Sequence, residues 1–467
     1  MTARRPAFEP GARVAVLGLG LSGAAAARLA RLRGGIVYAS DAGADPGPTA
    51  VAERLRAEGI DAEAGAHDMD RILSAELVVV SPGISPFSEV RRAVQEAGIR
   101  TIAEVELAFR DLRGRVVGIT GTNGKTTTTR LTAHLMEGAG LRVEAVGNIG
   151  RPLSETAMEE SQPDWVVVEL SSFQLADLES FESDVGVLLN LAPDHLDRYR
   201  DLESYYADKG RLFDNPAPGA RWVLNGDDRA VLDLAANAAG ERYLFSLRGD
   251  VPCGAWWDAE DTLRARLDPD GNPVPECWAT RADLPILGPH NAANAAAASL
   301  AAVLAGAEPS TLAASLRAYR GLPHRLQPLG ERTGVLWVND SKATNVAATV
   351  AALRSFDRPV VLLLGGRHKG EPYEEIARAA RGRVRAVIAF GEAAPRIVSD
   401  LQGAVETLHV ETGMDAVVRA ADGLARPGDV VLLAPACSSF DMFPNYAERG
   451  RAFEAAFAAL PEVEAAT

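Results

Sequence analysis

Short apolar runs alternate with helical stretches along most of this chain. Apolar residues cluster at 14–17, 36–39 and 77–80, and the stretches 22–33, 49–58 and 88–97 read as helices. That rhythm predicts a parallel sheet with helices on its faces. The pattern restarts at 116–119, where an apolar strand runs straight into a glycine-rich loop and a helix from about Thr126. Residues 165–170 and 185–190 read as further buried strands. Between 214 and 287 the chain is rich in Gly, Pro, Asp and Trp, which predicts irregular structure or antiparallel sheet. An alanine-dense helix is expected over 290–306, since alanine is the strongest helix former. Gly321-Leu322-Pro323 then punctuates the chain like a hinge. A last alternating stretch predicts strands at 335–338, 360–364, 387–390 and 430–433. No internal repeat is visible.

Length and composition narrow the class. At roughly 100–200 residues per domain, 467 residues suggest about three domains. No apolar run approaches the roughly 18 residues of a membrane-spanning helix, so no membrane insertion is expected. The formal charge of −15 disfavours nucleic acid as a partner, because an acidic surface repels phosphate backbones. Three widely spaced cysteines, Cys253, Cys277 and Cys437, show no metal-ligand spacing. They read as reduced thiols of a cytoplasmic protein.

Two glycine loops carry the chemistry. Gly18-Leu-Gly20-Leu-Ser-Gly23 fits G-x-G-x-x-G after a strand and before a helix, and Asp41 closes the next strand. Such a loop lets a diphosphate approach backbone N–H groups at a helix N-terminus. It does not distinguish a dinucleotide from a nucleotide sugar. Ser81-Pro82-Gly83 ends another strand on the same sheet edge. The second loop, GITGTNGKTT over 118–127, is a phosphate loop for a nucleoside triphosphate. Gly121, Thr122, Asn123 and Gly124 would wrap phosphate oxygens with N–H groups, and Thr127 follows in the helix. Lys125 would reach the terminal phosphates and Thr126 would offer its hydroxyl to Mg²⁺. Ile119 stands where a strict Walker A has its first glycine.

Further residues are candidates by position. Glu169 ends the strand WVVVEL, where a carboxylate could hold Mg²⁺. His195 lies among acids in a loop after a strand. Lys209 alone would read as an exposed helix lysine.

Several segments occur in one order: GTNGKTT, Gly147-Asn148-Ile149-Gly150, Glu169-Leu-Ser-Ser-Phe-Gln174, Asp194-His195-Leu-Asp197-Arg198-Tyr199, Gly288-Pro-His290-Asn291, Gly321-Leu322-Pro323-His324-Arg325 and Asp340-Ser341-Lys342-Ala343-Thr344-Asn345. Together they resemble the Mur ligase family of peptidoglycan synthesis over nearly the whole chain. The resemblance implies an α/β protein of three domains: an N-terminal Rossmann-like domain, a central P-loop ATPase-type parallel sheet and a C-terminal Rossmann-like domain. The boundaries expected are 1–110 for the UDP-substrate domain, 111–321 for the ATP domain and 322–467 for the lid. The Asp-Ser-Lys-Ala-Thr-Asn segment points to the branch that adds D-glutamate to UDP-N-acetylmuramoyl-L-alanine. ATP, two Mg²⁺ ions and action as a cytoplasmic monomer are implied with it.

Roles follow by matching position. Lys125 and Thr126 would contact the triphosphate, with Asn294, Arg325 and Asp340 also touching ATP. Thr126, Glu169, His195 and a carbamylated Lys209 would serve the metals. Leu21, Ser22, Asp41, Ser81, Asn148, Gln174 and His195 would hold the UDP-linked substrate. Lys342, Thr344, Lys369, Ser439 and Tyr446 would surround the glutamate. Two carboxylates on that substrate call for a basic residue and hydroxyl donors. This chain has Ala42-Gly43 where Thr-Arg is frequent in the family, so a uracil or phosphate contact is missing or supplied elsewhere. Arg367 competes with Lys369 for the basic role. The competing readings are a folylpolyglutamate-type ligase, a nicotinamide oxidoreductase and a non-catalytic nucleotide-binding regulator.

Overall fold

A computed structural model describes residues 4–194, 199–268, 274–411 and 413–461. The described residues form three sheets. The first holds β1 (Arg13–Leu17), β2 (Ile36–Asp41), β3 (Asp61–Ala64), β4 (Leu77–Val80) and β5 (Thr101–Ala103), all parallel in the order β3-β2-β1-β4-β5. The central strands are buried on both faces, which is why they read as unbroken apolar runs.

The second sheet holds β6 (Arg115–Thr120), β7 (Val143–Gly147), β8 (Trp165–Glu169), β9 (Ser183–Leu188), β10 (Pro216–Asn225), β11 (Glu241–Ser246), β12 (Gly254–Trp257), β13 (Thr262–Arg266) and β14 (Glu276–Thr280). Their order is β14-β13-β12-β11-β10-β9-β6-β8-β7. The expectation for 214–287 needs correction. β10, β11 and β12 extend the parallel sheet, and only the β12–β13–β14 meander is antiparallel. Tertiary burial explains the difference. Trp222 on β10 lies fully buried over Gly186 of β9, a partner that no local pattern announces.

The third sheet holds β15 (Gln327–Arg332), β16 (Val335–Asn339), β17 (Val360–Gly365), β18 (Val384–Phe390), β19 (Thr407–Val410) and β20 (Val430–Leu433), in the order β15-β16-β20-β17-β18-β19. It is parallel except for β15, which pairs antiparallel with β16. Separate apolar clusters cover its two faces, one around Leu362, Leu364 and Val387, the other around Trp337, Val361 and Ile388.

The chain divides into two compact units. One comprises Met1–Asp283 and Ala293–Tyr319, the other Leu284–Ala292 and Arg320–Thr467. Within the first unit one apolar core is shared by both sheets. Glu106, buried at their junction, accepts from the N–H groups of Ser180 and Phe181 at 3.1 and 2.9 Å. Among the described residues, no helix is long and apolar enough to cross a membrane.

Candidate active site

The phosphate loop lies between β6 and the helix Lys125–Gly138. Gly124 caps this helix with φ of 84°, in the left-handed region that suits glycine. Among the described residues no side chain caps the helix N-terminus, whose dipole favours an anion. A Cβ on Gly124 would lie 2.4 Å from Oδ1 of Asn294, so Asn294 sits directly against the loop. Asn190 clamps the other side. Its Oδ1 accepts from Asn123 N–H at 2.8 Å and its Nδ2 donates to Asn123 O at 3.0 Å. Thr122 N–H donates to Asn190 O at 2.9 Å, and the Thr122 hydroxyl donates to Ala192 O at 3.1 Å.

Two lysines converge on one carbonyl. Lys125 Nζ donates to Gly121 O at 2.9 Å and to Thr122 O at 2.8 Å. Lys209 Nζ, on the helix Leu202–Gly210, donates to the same Gly121 O at 2.9 Å. Lys209 is not exposed; it is among the most buried side chains of the molecule. Burial, with the Lys125 charge adding to it, pulls its pKa down to about 7. Tyr205 supports the pair, its ring 4.6 Å from Lys209 Nζ and its hydroxyl 3.4 Å from Thr122 Oγ1.

Glu169 ends β8 beside this loop's strand, since β8 pairs with β6 from Arg115↔Trp165 to Ile119↔Glu169. It is buried, and Oε1 accepts from Asn148 Nδ2 at 3.1 Å. Oε2 is buried with no hydrogen-bond partner among the described residues. A buried carboxylate oxygen left unpaired is costly unless a cation meets it. The residues present therefore fit a divalent metal. Gln174 closes a capping box with Ser171 at the start of the next helix. His195 lies outside the described residues. Thr126 and Thr127 occupy the first turn of the phosphate-loop helix.

In the first sheet, Gly18 turns with φ of 93°, and a Cβ on Gly23 would fall 1.8 Å from Gly18 O. That contact explains the glycine at 23. Leu21 begins the helix Leu21–Leu32, which again has a glycine N-cap and no side-chain cap; Ser22 follows it. Asp41 Oδ2 accepts from Leu19 N–H at 2.8 Å and Oδ1 from Gly43 N–H at 2.8 Å. Ser81 donates its hydroxyl to Gly18 O at 3.3 Å.

The second unit has its own cluster at the carboxyl ends of β16, β17 and β20. Asp340 follows β16 and accepts from Leu326 N–H at 3.1 Å. Burial raises its pKa to about 7, with the neighbouring Arg325 acting the other way. Lys342 Nζ lies 4.1 Å from the centre of the Tyr446 ring. Lys369 Nζ reaches Thr344 Oγ1 at 3.4 Å, whereas Arg367 turns to Glu392 at 3.1 Å. Ser439 is buried next to Ser438, whose N–H donates to Arg367 O at 3.1 Å. Sequence reading overlooked the residue that ties these loops together. Arg449, fully buried, donates to Ser341 O, Cys437 O and Ser438 O at 2.8, 3.0 and 3.3 Å. Its signal was faint, one arginine in an ordinary helical pattern. Asn190 was likewise hidden at a strand end.

Comparison with known proteins follows this geometry. Three family descriptions match the chain: "Mur ligase MurD-like, N-terminal domain" over 12–103, "Mur ligase middle domain" over 119–302 and "Mur ligase, glutamate ligase domain" over 324–437. The chain is 42% identical over 455 residues to the UDP-N-acetylmuramoylalanine--D-glutamate ligase of Myxococcus xanthus, covering 96% of this chain and 99% of that one. It is 40% identical over 445 residues to the protein of the same name from Acidobacterium capsulatum, covering 95% of each. Among solved structures, the UDP-N-acetylmuramate-alanine ligase of Thermotoga maritima superposes with a TM-score of 0.60 at 18% identity, over 96% of this chain and 100% of that one. That last likeness speaks for the fold alone.

Proposed function

This chain belongs to the Mur ligase family, among its UDP-N-acetylmuramoylalanine--D-glutamate ligases, and on that premise we propose how its residues perform the ligation. The activity is joining D-glutamate to UDP-N-acetylmuramoyl-L-alanine, in peptidoglycan synthesis, with ATP consumed. The work divides into a UDP-substrate domain over 1–110, an ATP domain over 111–321 and a glutamate-binding lid over 322–467, acting as a cytoplasmic monomer.

The observation that carries this reading is the pair of lysines on Gly121 O. The Lys125 ammonium and the N-terminus of its own helix form a site short of negative charge, with the Lys209 amine held on the same carbonyl beside it. A triphosphate supplies it. The terminal carboxylate of the alanyl group attacks the γ-phosphorus and ADP leaves, giving an acyl phosphate. The neutral amine of glutamate then attacks the acyl carbon. Inorganic phosphate departs, and the amine proton goes to a base or solvent. Lys125 neutralises charge spreading over the phosphoryl oxygens. Asn294 holds the loop side of the nucleotide, with Arg325 and Asp340 contributing from the lid.

Magnesium ions, when bound, would add positive charge to the same oxygens; Thr126, Glu169, His195 and a carbamate on Lys209 would hold them. Lys209 is suited to carbamylation because its lowered pKa leaves a large neutral fraction to take up CO₂ near neutral pH. Asn148, Gln174, Ser81, Asp41, Leu21 and Ser22 face the UDP-linked substrate. Lys369, Thr344, Ser439, Lys342 and Tyr446 take the glutamate, with Lys369 as the basic partner of a carboxylate.

The test is a panel of D-Glu, L-Glu, L-Ala and diaminopimelate, each with UDP-N-acetylmuramoyl-L-alanine and ATP, followed by phosphate release. Turnover with D-Glu alone is expected. Release that requires a folate in place of the UDP-linked substrate would sink the reading.

A further inference from the structure

The strand order β3-β2-β1-β4-β5 gives a ligand on the glycine loop two directions to run. The β4–β5 side joins the second sheet. Ala103 N–H donates to Asp177 O at 2.9 Å, and Arg91 pairs with Asp177 at 2.8 Å. The reacting end of a substrate must lie on that side, toward the phosphate loop. Its nucleoside must then extend over β2 and β3, roughly 10 Å away at ordinary strand spacing.

On that side Asp41 is an acceptor partly committed to the backbone. Asp41 receives the N–H groups of Leu19 and Gly43, one on each oxygen. Ala42 and Gly43 carry no side-chain donor or acceptor. His67, in the loop after β3, is a polar group that can act as donor or acceptor. Three contacts hold that loop against β2: Gly65 N–H to Asp41 O at 2.9 Å, Asp68 N–H to Tyr38 Oη at 2.9 Å, and a backbone bridge between Asp41 and Ala66. His67 Nδ1 lies 2.8 Å from Oγ of the fully buried Ser40. The carbonyl of Ser40 in turn accepts from Gly18 N–H at 2.8 Å. One residue thus ties the imidazole to the glycine loop. Nε2 makes no hydrogen bond among the described residues.

Partial burial holds the His67 pKa below its usual value, against the opposing pull of Asp41 and Glu63. The ring is neutral at pH 7. With Nδ1 shared with Ser40, Nε2 is a donor in one tautomer and an acceptor in the other. A uracil edge offers both complements, a carbonyl oxygen and an imide N–H.

We propose that His67 recognises the nucleoside of the UDP-linked substrate through Nε2, with Ser40 as the positioning residue that aims its ring. This rests on the ligase reading above. The test titrates UDP into the full chain and into His67→Ala and His67→Gln, and measures KM for each of the three substrates. Expected for His67→Ala are about tenfold weaker UDP binding and an about tenfold higher KM for the UDP-linked substrate, the size of one hydrogen bond. His67→Gln should recover part of it. KM for ATP and D-Glu, and kcat at saturation, should hold. Ser40→Ala should shift KM for the same substrate by less. Unchanged UDP affinity in His67→Ala, or an equal loss for all three substrates, would overturn the assignment and leave the ligase reading standing. A parent chain that turns over the panel without binding UDP would also overturn it. A parent chain with neither UDP binding nor turnover would overturn both.

Discussion

The two glycine loops of the first unit share one plan and differ in charge. Each follows a buried parallel strand, and each precedes a helix with a glycine N-cap and no side-chain cap. Some other helices are capped by side chains, as by Ser88, Ser171 and Asp201, whereas Met414–Leu424 shares the bare glycine N-cap without following a glycine loop of this kind. The loop at 118–127 adds two lysines, one of them buried. The loop at 18–23 adds none; the side chain bonded to it is Asp41, which accepts from the N–H groups of Leu19 and Gly43. Backbone dipoles suffice to hold a diphosphate that does not react. A phosphoryl group in transfer needs mobile positive charge beside it.

The largest test of that contrast is Lys125→Ala. It should cut kcat/KM by about 10³-fold or more, read by phosphate release, with the UDP-substrate KM little changed. A drop of less than tenfold would erase the distinction between the loops. Next comes Lys209→Ala, expected to lose about 10²-fold in activity and to regain part of it with added acetate or formate. Rescue failing in a folded protein would remove the carbamate from the scheme.

The same lysine gives a stability test without substrate. Its folded pKa of about 7 lies below the ordinary 10.5. Between those values the unfolded chain binds the extra proton, so stability should rise as pH climbs through that window. Below pH 7 both states are protonated and the penalty of burying the ammonium is fully present. Lys209→Met should flatten that slope in urea unfolding measured from pH 7 to 10.

Smaller effects belong to the other loop. Gly23→Ala should cost about 1–3 kcal/mol in urea unfolding, because its methyl meets Gly18 O. Asp41→Asn should raise KM for the UDP-linked substrate about tenfold and leave KM for ATP alone, since one amide would face a backbone N–H it cannot accept from. Equal changes in both KM values would mean that the loops are mechanically coupled rather than separate.

Much of this contrast was legible in the chain. Both strand–loop–helix units stood where the apolar runs put them. The run at 116–119 became β6 (Arg115–Thr120), and the helix expected over 22–33 became Leu21–Leu32. Short strands escaped notice. Asp61–Ala64 and Thr101–Ala103 offer four and three residues, too few to show a period, and the first carries two acids. Candidate site residues came from motifs and resemblance, and Lys209 shows the limit of position alone. By pattern it is an exposed helix lysine. Burial on the Gly121 carbonyl makes it a different chemical group.

The parallel α/β architecture and both glycine loops were readable from the chain alone, and the order of the motifs carried the family resemblance. Those depend on short-range rules: strand period, glycine at positive φ, and a lysine next to the loop it serves. Packing across the fold settled which lysine shares Gly121 with Lys125, that Asp41 is held by the Leu19 N–H of the first loop, and that Arg449 joins two loops of the second unit. Those contacts span from 12 to 108 residues of chain. Such pairings are chosen by packing and by the need to satisfy buried polar groups, and no local pattern encodes them.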